Sequence, residues 1–142
     1  MWRFLSVAML AVVSQSVAAA EACPTKNVQD CASIFAQSMS ENLKNGPLVS
    51  GEFTLESVVA TRSEVTLTHR ASFTESDFNR YLSLSKTPIE QYLAVVRSAT
   101  IQHDCRDPAA SVVALGASFK NVFHFKDGGV LDEVVVSSCP VG

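Results

Sequence analysis

The stretch Phe119-Lys120-Asn121-Val122-Phe123-His124-Phe125-Lys126-Asp127-Gly128-Gly129-Val130-Leu131-Asp132-Glu133-Val134-Val135-Val136-Ser137 decides the fold. Phe119, Phe123 and Phe125 fall on one side of a two-residue alternation, with Lys120, Val122, His124 and Lys126 on the other. That is the pattern of a strand with one buried face. Asp127-Gly128-Gly129 supplies residues that tolerate the positive φ angles of a tight hairpin turn. Val130 to Ser137 then returns as a β-branched partner strand.

Working upstream, Gly51 to Phe73 shows the same alternation. Phe53, Leu55 and Val58 or Val59 read as one strand, and Val65-Thr66-Leu67-Thr68-His69 as a second with its threonines facing out. Thr61-Arg62-Ser63-Glu64 is the expected turn. Helical spacing occupies the remaining segments. Val28, Cys31, Ala32, Phe35, Met39 and Leu43 recur at three and four residues between Asn27 and Asn45, and Gly46-Pro47 stops the helix. Thr74-Glu75-Ser76-Asp77 starts a short helix carrying Phe78, Tyr81 and Leu82. Thr87-Pro88-Ile89-Glu90 reads as a capping box with a proline start, ahead of Ile89, Tyr92, Leu93, Val96 and Ala99 or Thr100. Asp107-Pro108 reads as a further cap and start, for a turn that packs Val112, Val113 and Leu115 and ends at Gly116. The expected architecture is therefore one α+β domain in the order α-β-β-α-α-β-β. It comprises a four-stranded antiparallel sheet of two hairpins with helices packed on one face. The alternation does not say whether the hairpins join.

Residues 1–20 read as a signal peptide: Arg3, an apolar run from Phe4 to Val13, and the small residues Val17-Ala18-Ala19-Ala20 before a cut. Residues 21–142 are then the domain. The whole chain of 142 residues carries 11 basic and 14 acidic side chains, a formal charge of −3. Loss of Arg3 makes the domain one unit more acidic, so no basic footprint for nucleic acid remains. No later apolar run reaches the ~18 residues of a membrane span. The expected location is the periplasm or the exterior.

Four cysteines, Cys23, Cys31, Cys105 and Cys139, follow the proposed cut, and an even count in an oxidising compartment reads as two disulfides. Three pairings are possible. Cys23 and Cys31 flank the start of the first helix, while Cys105 ends a helix and Cys139 ends the last strand, which favours 23–31 with 105–139. Spacings of this length do not match a structural zinc site. Ala20-Glu21-Ala22-Cys23 offers a second use of Cys23, as a lipid attachment site. Glu21 within that box and the odd thiol count it would leave argue for the disulfide.

Cys105, Leu115-Gly116, Phe119, Phe123, Phe125, Asp127-Gly128, Val134-Val135-Val136 and Cys139 together resemble a pattern found in a group of small exported bacterial α+β proteins. The resemblance spans about forty residues. It implies the same fold and a 105–139 disulfide, and it carries no activity. His103-Asp104-Cys105 is also similar to the end of a loop motif in a periplasmic inhibitor of vertebrate-type lysozyme. The bracketing cysteine and the Lys-Pro of that motif are missing here.

No Gly-x-Ser-x-Gly elbow, phosphate-binding glycine pattern or calcium loop is present, so no catalytic residue, metal ligand or cofactor is assigned. His103, Asp104 and Arg106 form the most polar run beside a disulfide and are the candidate binding residues. The leading functional expectation is an exported, non-enzymatic module that binds a protein partner, such as an envelope accessory factor, an immunity protein or an inhibitor. The sheet face carrying Val122 and Thr66 is left exposed for such contacts. The alternative is a small exported hydrolase or metal-dependent enzyme in which His69 and His124 meet Asp132 or Glu133.

Overall fold

A computed structural model describes Cys23 and residues 26–140. The expected signal peptide lies outside the described residues. The first helix, α1 (Val28–Lys44), is capped by Asn27, whose side-chain oxygen accepts from the backbone N–H groups of Gln29 and Asp30. Cys31, Ala32, Phe35 and Ala36 form its buried stripe. Gly46, at φ 150, turns the chain into β1 (Leu48–Ser50), a strand absent from the expected order. Its three residues between Pro47 and Gly51 are too few to show alternation.

Strands β2 (Phe53–Thr61) and β3 (Glu64–Ala71) form the first hairpin at the expected turn, with Arg62 taking the positive φ of 57°. Three helices follow: α2 (Glu75–Ser85), α3 (Ile89–Asp104) and α4 (Ala109–Ala114). Thr74 caps α2 in a complete capping box with Asp77. The box expected at Thr87 does not form. Pro88 is itself the cap residue, extended at ψ 140, so the helix begins one residue later and Thr87 lies too far back to reach its free N–H groups. The Thr87 hydroxyl instead accepts from Ser85 at 2.9 Å. Nor does Asp107 cap a backbone; its carboxylate accepts from the Ser111 hydroxyl at 2.6 Å. On α3, Leu93 and Thr100 are buried as expected, whereas Ile89 and Ala99 are exposed.

The second hairpin, β4 (Ser118–His124) and β5 (Val130–Val136), joins the first in one five-stranded sheet of order β1-β2-β3-β4-β5. The join between β3 and β4 is parallel; all other pairs are antiparallel. This corrects the expectation of a four-stranded, wholly antiparallel sheet. A parallel pair needs a crossover of at least a dozen residues, and the chain through α2, α3 and α4 provides it.

Among the described residues, helices cover one face of the sheet. Their apolar stripes meet Leu55, Val58, Val65, Leu67, Phe119, Phe123, Val134 and Val136, with Phe35 set edge-on against Phe119 at 5.0 Å. At one end of the sheet Phe78 of α2 packs against Phe73, Phe125 and Tyr92. Two disulfides, Cys23–Cys31 and Cys105–Cys139, close at Cα separations of 5.7 and 5.5 Å.

Candidate functional site

The end of α3 and the bend just after it hold the three residues singled out by their polarity, His103 and Asp104 in the helix and Arg106 two residues beyond it. His103 and Arg106 are exposed there, but Asp104 turns inward and is 2% exposed. Helical spacing explains the difference, because Asp104 continues the stripe of Leu93, Val96 and Thr100 that faces the sheet. Its Oδ2 accepts from Nδ2 of Asn121 at 2.6 Å. Asn121 Oδ1 in turn lies 2.9 Å from Nε2 of His69, and His103 Nδ1 stands 3.4 Å from Asp104 Oδ1. The His69 ring stacks on Phe123 at 4.5 Å. Burial holds the His69 pKa below the usual histidine value, against the opposing pull of the Asn121 hydrogen bond and the Asp104 charge. The result is a chain of polar groups linking α3, β4 and β3, buried at Asp104 and Asn121 and open to solvent at His103.

Asn121 was the missed member. It lies on the same alternation as Phe119, Phe123 and Phe125, so a lone amide among buried rings was the available signal.

His69 and His124 do not converge. Register neighbours pair His69 with Phe123 and Arg70 with His124. The two imidazoles therefore project from opposite faces of the sheet. Each carboxylate considered with them has another partner. Asp132 accepts from Nε and Nη2 of Arg97 at 3.0 and 3.2 Å, and Glu133 lies 3.6 Å from Lys120. Among the described residues no cluster of three or more His, Cys, Asp or Glu side chains is arranged to hold a metal ion.

The open sheet face presents cross-strand rows, Val59-Thr66-Lys120-Val135 and Ser57-Thr68-Val122-Glu133. Val59 and Val135 are exposed, while Val122 and Thr66 are half-buried. Arg70 and Glu56 pair across this face at 2.8 Å, which lowers the Glu56 pKa. On the helical side Tyr81, Leu84, Ile89, Val95 and Ile101 are exposed. A hollow of about 40 Å³ beside Cys23–Cys31, lined by Ile34, Phe35, Val112 and Leu115, is the size of one water molecule. These surfaces can make contacts; none is shaped as a substrate pocket. No helix among the described residues is long and apolar enough to cross a membrane.

No protein-family model and no curated protein matches the sequence. Solved structures do match the fold. The type II secretion system pilotin AspS from Vibrio cholerae aligns with a TM-score of 0.58 at 20% identity, over 89% of this chain and 95% of that one. The type 2 secretion system pilotin EpsS from Vibrio vulnificus aligns at 0.59 and 15% identity, over 82% and 97%. A Pseudomonas aeruginosa protein provisionally described as secreted aligns at 0.52 and 12% identity, over 77% and 91%. The chain thus has an α+β fold like that of the pilotins, with their architecture spanning most of its length.

Proposed function

We propose that this chain is an exported accessory protein of the cell envelope, acting by binding another protein rather than by catalysis. The observation that carries this reading is the fold shared with two type II secretion pilotins over more than four-fifths of the chain. Two disulfides suit an oxidising compartment, and residues 1–20 serve as the signal peptide that delivers residues 21–142 there. The partner is a component of a secretion apparatus. His103 and Arg106 are proposed contact residues on this chain's surface, with Asp104 beneath His103.

Two measurements in the native host test the proposal together. Cross-linking a tagged chain in intact envelopes is expected to capture a type II secretion channel component. Deleting the gene is expected to reduce export of type II substrates while other export routes continue. Unchanged export with no channel component captured overturns the reading.

A further inference from the structure

The two edges of the sheet are finished differently. An edge strand exposes unpaired N–H and C=O groups, and natural sheets blunt it with short strands, proline, lysine, bulges or an inward charge. β1 is blunted by its length of three residues. β5 has seven residues and contains no proline, glycine or lysine. Its register irregularity lies at its start, opposite Phe123 and His124, and its inward charge, Asp132, is paired by Arg97. From Asp132 to Val136 the strand is regular. Among the described residues its backbone makes no hydrogen bond outside the ladder to β4.

We propose that this edge pairs antiparallel with β5 of a second copy of the chain, about a two-fold axis at Val134. In a symmetric antiparallel pair the facing residues have a constant sum of numbers, and that sum is even if each face is to stay on its own side. An axis at Asp132 or at Glu133 sets a carboxylate against its own copy. An axis at Val135 pairs Glu133 with Ser137, past the strand end. The axis at Val134 faces Glu133 with Val135 and Asp132 with Val136, in both directions, with no like charges opposite.

Helix α3 adds a second layer. Ala94, Arg97, Ser98 and Ile101 share one stripe, and Arg97 within it reaches Asp132 of β5, so the stripe overlooks the open edge. Ala94 and Ser98 are small and Ile101 is exposed, which suits the approach of a second α3. A strand of this length spans ~23 Å, and a sheet with one helix layer is roughly 20 Å deep, giving about 460 Å² per copy. Doubled, that is close to the ~1,000 Å² at which specific interfaces begin. The dimer is therefore weak and concentration-dependent.

Sedimentation of the exported, disulfide-bonded protein from micromolar to millimolar concentration tests it. Val135 is 53% exposed, so substitutions there leave the core intact. Val135→Glu sets two like-charge pairs against Glu133 of the second copy, whereas Val135→Lys sets two opposite-charge pairs. The dimer dissociation constants of these variants should differ by roughly tenfold, with the lysine variant tighter. A wild type that remains monomeric throughout, or two variants that shift alike, overturns the proposal. The envelope role does not depend on this outcome, since a monomer that still captures a channel component leaves that role standing.

Discussion

Asn121 holds together two groups that burial alone would punish. Its amide donates to the Asp104 carboxylate and its carbonyl meets the His69 imidazole, and Asn121 and Asp104 are each 2% exposed. Removing the neutral donor of a buried hydrogen bond to a carboxylate leaves that carboxylate desolvated, which costs more than removing both groups. Asn121→Leu should therefore lower stability by about 2 kcal/mol, with Asp104→Leu added in the same chain recovering the part due to the orphaned carboxylate while His69 stays without its partner. Urea denaturation of the single and double variants measures this; a double variant weaker than the single would contradict it. His69 gives a pH dependence. Its folded pKa is below the unfolded value, so the unfolded chain takes up the proton first as pH falls. The stabilisation is complete above the usual histidine value of about 6.5 and is lost as pH drops from there through the lowered folded pKa. Between pH 7.5 and pH 5 the thermal midpoint of the wild type should fall more steeply than that of His69→Gln, which keeps a hydrogen-bonding group and does not titrate.

At the scale of the elements, the caps separate composition from geometry. Thr74 and Thr87 both precede a helix and both have an acid three residues on, Asp77 and Glu90. Only Thr74 has its hydroxyl on a backbone N–H. Thr74→Ala should cost about 1 kcal/mol, while Thr87→Ala should stay within ~0.5 kcal/mol. Paired denaturation curves distinguish them, and equal losses would show that α3 is capped by Thr87 in solution. The same distinction explains what was legible. Both hairpins were readable because alternation and turn residues are local properties. β1 was not, because its pairing with β2 depends on where α1 delivers the chain. The alternation of β3 and β4 also held the answer for the histidines: His69 follows Val65 and Leu67 on the buried face, while His124 follows Lys120 and Val122 on the open one.

For the whole molecule, the parallel join of β3 to β4 turns two hairpins into one sheet, and no local pattern could specify it. Whether the strands meet depends on the path of the chain from residue 72 to 117, which the packing of α2, α3 and α4 determines together. The Cys105–Cys139 disulfide secures the end of that path, tying the C-terminus of α3 to the segment after β5 across 34 residues of sequence. Cys23–Cys31 closes a separation of only 8. Chain entropy gives about 4 kcal/mol for the longer loop and about 2.5 kcal/mol for the shorter. Replacing both Cys105 and Cys139 with serine should thus lower the guanidinium unfolding midpoint more than replacing both Cys23 and Cys31. Cys139→Ser alone should cost nearly as much as the 105/139 double variant, because either change removes the same bond. A wild-type midpoint for Cys139→Ser would mean that the crossover is held by packing alone.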